Sequence, residues 1–175
     1  MTAAVIPFTH YLKKGGLETP AGGFKLPTYV HPGQILITSE PGLLATILGS
    51  CVAVCLHDPR LRLGGLNHYL LPQTGSSEES AGRYAPSAIG QLVDGMLSLG
   101  ASPSRMIAHV VGGAAVLAAF NSGAAQLGAR NADIARDMLR SYKIPIVSTE
   151  TGGRHGRKLL FSPRDGSISV QLIGV

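Results

Sequence analysis

Cys51 and His68 are the residues whose types and spacing could do covalent chemistry. They lie in LATILGSCVAVCLHDPRLRLGGLNHYLLP, two apolar runs joined by a turn-prone link at Pro59 to Leu63, which reads as a β-hairpin. With Asp58 and Leu61 flanking a two-residue loop, Cys51 stands directly opposite His68. Opposed residues hold their Cβ atoms ~4.5–5.5 Å apart, within reach of proton exchange after small rotamer changes. A slip of one residue would send the two side chains to opposite faces. A thiol beside an imidazole can ionise to the nucleophilic thiolate, and the imidazolium can then protonate a leaving amine, which is amide chemistry. Gly49 and Ser50 let the chain turn sharply before the cysteine, so the N–H of Ser50 or Cys51 could line an oxyanion site. An imidazole in this role needs an orienting group. Asp58 sits at the far end of the hairpin and Asn67 points to the other face, so the hydroxyl of Thr46 is the nearest candidate.

The neighbouring Cys55 and His57 read as a small buried hydrophobe and an ordinary hydrogen-bonded histidine. A zinc site built on Cys51, Cys55, His57 and His68 is disfavoured, because a strand holds the two cysteines ~13 Å apart while each ligand must come within ~2.3 Å of one metal. The same separation exceeds the ~7 Å limit for a disulfide. No metal ligand set is expected.

Elements must hold this pair in place. The chain has 175 residues, 45% hydrophobic and 14% charged, with 23 Gly and 11 Pro, which suits one globular, turn-rich domain. Residues 1–31, broken by glycines and prolines, read as an irregular N-terminal arm, and 32–175 as the folded domain. Short strands are expected at QILIT, LLATIL, the two arms of the hairpin, RMIAHVV, IPIVST, KLLFS and SISVQLI. Helical spacing of Ile89, Leu92, Val93 and Met96 marks one helix ended by Gly100. Asn131 reads as the cap of a second helix carrying Ile134, Ala135, Met138 and Leu139. Strands, two helices and antiparallel links predict an α/β or α+β domain with a mixed, largely antiparallel sheet and helices packed on it.

Fifteen Lys+Arg against ten Asp+Glu give a modest net charge of +5, scattered singly or in pairs. There is no nucleic-acid motif, so nucleic acid is not an expected partner. No apolar run reaches the ~18 residues of a membrane span, and the Lys13-Lys14 pair follows the first apolar stretch instead of preceding it. The chain is read as soluble and cytoplasmic. Gly112-Gly113-Ala114-Ala115 lacks the Gly-Lys-Ser/Thr of a phosphate loop and reads as a close-packing site. Gly153-Arg154-His155-Gly156-Arg157 reads as a turn, with Arg154, His155 and Arg157 available to meet an acidic helix.

The runs Thr46-Ile47-Leu48-Gly49-Ser50-Cys51-Val52-Ala53-Val54-Cys55 and Gly64-Gly65-Leu66-Asn67-His68-Tyr69-Leu70-Leu71-Pro72 resemble the chemoreceptor glutamine deamidase family, CheD. The likeness continues through Tyr84-Ala85, Gly100-Ala101, Val111-Gly112-Gly113-Ala114, Gly128-Ala129-Arg130-Asn131 and Gly152 to Arg157, so it covers residues 32–173. It implies a three-layer α/β sandwich related to the bacterial toxin deamidases. It further implies hydrolysis of selected glutamine side chains on methyl-accepting chemotaxis receptors to glutamate, with action on receptor methyl esters open to the same route. By carry-over, Cys51 is the nucleophile, His68 the general base and acid, and Thr46 the third catalytic residue, with no metal or organic cofactor. The implied partners are receptor cytoplasmic domains and a CheC-type phosphatase. The alternative is a non-catalytic regulatory module that docks on receptors or on that phosphatase.

Overall fold

The computed structural model describes residues 26–73, 82–116 and 122–174. Most of the expected N-terminal arm, residues 1–25, and most of the polar loop, residues 74–81, lie outside the described residues. The elements run β1 (Thr28–Tyr29), β2 (Ile35–Thr38), β3 (Leu44–Leu48), β4 (Val52–Asp58), β5 (Leu63–Asn67), α1 (Ala85–Ser98), β6 (Ile107–Gly112), α2 (Ser122–Ser141), β7 (Ile146–Thr151), β8 (Gly156–Phe161) and β9 (Ile168–Ile173).

The strands form two sheets, β1-β3-β8-β9 and β2-β5-β4-β6-β7. Each is antiparallel except at one edge, where β1 pairs with β3 and β6 with β7 in parallel. The parallel β6/β7 pair is joined through α2, as a parallel crossover requires. The helices cover the outer face of the five-stranded sheet, giving the expected three-layer α/β sandwich. Its strands are divided between two sheets where the alternation pattern had suggested one.

β4 is the centre of this arrangement and is buried along its whole length. Val52, Val54 and Leu56 pack with α1 and α2, while Ala53 and Cys55 pack between the sheets against Leu44, Leu48, Leu159 and Phe161. A strand buried on both faces reads as a continuous apolar run, which VAVCL is. β5 lies beside it under tighter constraint. A Cβ on Gly64 would come within 2.6 Å of Pro163, and one on Gly65 within 2.7 Å of Leu92. Only glycine lets both layers approach this strand.

The N-terminal boundary needs correction. Thr28 and Tyr29 pair with Leu44 and Ala45, and Val30 is 1% exposed in the core between the sheets. Residues 28–30 therefore belong to the fold and not to the arm. A strand of two residues between Pro27 and Pro32 has no periodicity to read. The connections that follow β3, β5, β6 and β7 all gather at one end of the sandwich, the end that holds Cys51.

Candidate active site

The hairpin register differs from the expected one. Asp58 pairs with Leu63 and Cys55 with Leu66, and Val52 bridges Tyr69. The loop has four residues because the Asp58 carboxylate accepts the N–H groups of Arg60 and Leu61 at 3.1 and 3.4 Å and Arg62 turns through φ +50°. On this register His68 faces Ala53, and Cys51 sits two residues further along. Side chains alternate along a strand, so a shift of two leaves Cys51 and His68 on the same face, toward the four-stranded sheet. Beside His68 the ladder is interrupted: the Val54 N–H donates to Oδ1 of Asn67 at 2.8 Å instead of to a main-chain carbonyl. The His68 N–H donates to the Gln34 carbonyl at 3.0 Å and its own carbonyl accepts the Gly33 N–H at 2.6 Å, so the turn before β2 fixes its backbone.

The third residue arrives from the other sheet. Thr46, fully buried in the middle of β3, donates its hydroxyl to the Val30 carbonyl at 2.8 Å, and its Oγ1 lies 2.8 Å from Nδ1 of His68. A hydroxyl has one proton. With that proton on the Val30 carbonyl, Oγ1 must accept from His68, so the imidazole carries its hydrogen on Nδ1 and presents a bare lone pair on Nε2. Nε2 is buried without a hydrogen-bond partner, as a base waiting for a proton would be. Burial drives the His68 pKa down to about 4, against the opposing pull of the Val30 carbonyl. Burial likewise raises the Cys51 thiol above its ordinary value, although its own backbone N–H favours the thiolate. Both shifts favour the uncharged forms, the thiol at Cys51 and the neutral imidazole at His68.

Thr46→Val keeps the shape and removes both hydrogen bonds. The change is expected to slow turnover about 10–100-fold by freeing the ring tautomer, and to cost about 1–3 kcal/mol of stability through the orphaned Val30 carbonyl. Steady-state kinetics and urea melts check the two parts separately.

The loop carrying Cys51 is held by its carbonyls. Gly49 accepts the Ala114 N–H at 2.7 Å, Cys51 accepts the Gly113 N–H at 2.8 Å, and Ser50 accepts Nδ2 of Asn131 at 3.0 Å. Asn131 was expected to cap a helix. It lies inside α2, which begins at Ser122, and its fully buried side chain reaches out of the helix to hold the loop. The glycines that precede it in the sequence weaken the helical signal there. Two glycines allow the close fit: a Cβ on Gly128 of α2 would run into the Gly113 carbonyl, and one on Gly113 would come within 2.7 Å of the Gly128 carbonyl. Gly112–Ala115 is thus a backbone-to-backbone packing site, as its sequence suggested. Gly128→Ala is expected to destabilise the fold by about 1–3 kcal/mol, since the helix must back away from the loop that holds Cys51. A shifted urea midpoint with an unchanged m-value is the signature to look for.

The candidate receptor-contact residues separate. Arg154 is exposed and His155 half-buried, with Nδ1 of His155 3.1 Å from the Gly174 carbonyl. Arg157 is 7% exposed and donates to the Gly152 carbonyl at 2.8 Å. Its guanidinium braces its own turn, which removes it from the contact set. Sequence spacing cannot distinguish an inward from an outward arginine in a glycine-rich turn. Elsewhere, burial pushes the Cys55 thiol far up, and the ring of His57 meets the Pro163 carbonyl at 3.0 Å. Among the described residues no group of three or more His, Cys, Asp or Glu is placed to hold a metal ion.

Fold and site together define a three-layer α/β sandwich with a thiol and a threonine-held imidazole on one face between its sheets. A family model described as CheD chemotactic sensory transduction matches residues 70–172. The probable chemoreceptor glutamine deamidase CheD 1 of Anaeromyxobacter dehalogenans is 46% identical over 154 residues, covering 88% of this chain and 89% of that protein. The probable chemoreceptor glutamine deamidase CheD of Xanthomonas campestris pv. campestris (strain B100) is 42% identical over 140 residues, covering 80% and 70%. The chain belongs to the CheD family. Among solved structures, the Bacillus licheniformis hypothetical protein YfiH aligns with TM-score 0.41 at 17% identity, covering 69% of this chain and 51% of that one. The family-model match begins two residues after His68 and so does not include Thr46, Cys51 or His68.

Proposed function

We propose that this protein hydrolyses glutamine side chains of chemoreceptors to glutamate, with Cys51 as nucleophile and His68 as general base and acid. The observation that carries this reading is the Thr46–His68 hydrogen bond, which leaves Nε2 bare on the face shared with Cys51. The relatives' names supply the substrate class. Nε2 takes the thiol proton as sulfur attacks the carboxamide carbon, forming the C–S bond and a tetrahedral oxyanion. The imidazolium returns the proton to nitrogen, the C–N bond breaks, and ammonia leaves a thioester. Nε2 then activates water, whose attack releases glutamate and restores the thiol. The N–H groups of Ser50 and Cys51 face the oxyanion, Gly49 supplying the turn before them. A receptor methyl ester enters by the same thioester, with methanol in place of ammonia.

Catalysis in this scheme uses protein groups alone. No described helix is long and apolar enough to cross a membrane, which suits an enzyme acting on receptor cytoplasmic domains from the cytoplasm. Arg154 and His155, at the same end of the sandwich as Cys51, contact the acidic receptor surface in this reading, and family resemblance adds a CheC-type phosphatase as second partner. The test is intact-mass spectrometry of a receptor cytoplasmic fragment incubated with catalytic amounts of protein. Each conversion of amide to acid adds about one mass unit, and peptide mapping locates it. A stable stoichiometric complex without any mass gain would replace the enzyme by a regulatory binding module.

A further inference from the structure

Three bonds converge on Asn131 from the two segments that carry the candidate nucleophile and base. Its Nδ2 donates to the carbonyl of Ser50 at 3.0 Å and of Leu70 at 2.8 Å, and its own main-chain carbonyl accepts the Tyr69 hydroxyl at 2.6 Å. Two carbonyl partners fix the amide orientation, because only the nitrogen end can donate to both. Asn131 is fully buried, and Oδ1 has no hydrogen-bond partner. A side chain kept there with half of its polar capacity unused is held for what its nitrogen does.

The Ser50 carbonyl and the Cys51 N–H belong to one planar trans peptide, so they point in opposite directions. Pulling the carbonyl toward α2 turns the N–H away from α2, and accepting a hydrogen bond at the oxygen strengthens the N–H as a donor. That N–H belongs to the residue whose sulfur attacks the substrate in the deamidase reading, next to the carbon on which the oxyanion forms. We propose that Asn131 is a positioning residue that aims the Cys51 N–H at the oxyanion formed on the substrate and ties this peptide to the His68 segment through Leu70 and Tyr69. The inference rests on the deamidase reading and adds to it a residue outside the thiol, imidazole and threonine.

The experiment compares wild type with Asn131→Leu and Asn131→Asp, using three readouts. Deamidation of a receptor fragment develops an oxyanion, whereas alkylation of Cys51 by iodoacetamide does not. The Cys51 amide resonance reports the orientation of the N–H without any substrate. For Asn131→Leu, kcat is expected to fall about 10–100-fold with KM within about twofold, while alkylation stays within about threefold and the Cys51 amide resonance moves. For Asn131→Asp, the carboxylate repels both carbonyls at neutral pH, but once protonated it can donate to one of them. Its kcat relative to wild type therefore rises as pH is lowered from about 7.5 to about 5.5. An unmoved Cys51 amide, alkylation falling in step with turnover, or an Asp/wild-type ratio flat across pH would overturn the inference. A wild type that binds receptor without turnover would overturn the deamidase reading instead, and the amide resonance would still judge Asn131.

Discussion

Cys51→Ala is expected to abolish glutamate formation on a receptor fragment, by about 10⁴-fold or more, with little change in stability. The large loss follows from the absence of a substitute. The other thiol of the chain, Cys55, is fully buried between the sheets and its ionisation is strongly opposed by that burial. Thr46 has its single proton committed to the Val30 carbonyl and cannot act as a nucleophile without giving up the hydrogen bond that orients His68. The small effect on folding follows because Cys51 is only half-buried just before β4, and its loop is held through main-chain carbonyls that the substitution leaves alone. Intact-mass spectrometry over a time course reads the loss, and a urea melt reads the stability. Deamidation by Cys51→Ala at a rate near that of wild type would end the covalent mechanism.

How this site could be read from the sequence depends on which physical signal carries each part. That Cys51 and His68 share a face was legible because strand alternation has a period of two, and the actual shift of two residues in register preserves the face although it undoes the direct opposition. The loop length was not legible, since it depends on Asp58 folding back on Arg60 and Leu61 and on a left-handed Arg62. Thr46 could be named only as the nearest hydroxyl. What brings it to Nδ1 of His68 is the packing of one sheet on the other, which lays β3 over the end of β5. Asn131 was mistaken for a cap because asparagine at a helix start is common, and nothing local says that its side chain must cross to Ser50 and Leu70. Arg157 reads as free to meet a partner because a glycine-rich turn gives no sign that its guanidinium folds back on the Gly152 carbonyl. The continuous apolar run of β4 marks a strand without saying that it lies at the centre of the sandwich, whereas β1 is too short to carry any pattern.

His68→Gln separates the catalytic value of the imidazole from its cost to folding. Loss of the general base is expected to reduce kcat about 10²–10⁴-fold, because in the proposed mechanism Nε2 accepts the thiol proton. The glutamine amide can still donate to Thr46, so the β3 hydrogen bond is kept and the effect is chemical. Stability should move the other way in acid. In the folded protein burial places the His68 pKa at about 4, while an unfolded histidine titrates near ~6.5. As pH falls through that window the unfolded chain takes up a proton that the folded chain refuses, so wild-type stability is whole above pH ~6.5 and declines toward pH ~4. The loss from this one group is on the order of 3 kcal/mol, at about 1.4 kcal/mol per pH unit. Burial also lowers the His109 pKa, and that contribution of the same sign remains in the variant. Urea melts at neutral pH and near pH ~5 should show a smaller acid-induced loss for His68→Gln than for wild type. Equal losses in the two proteins would mean that His68 is not the buried neutral base.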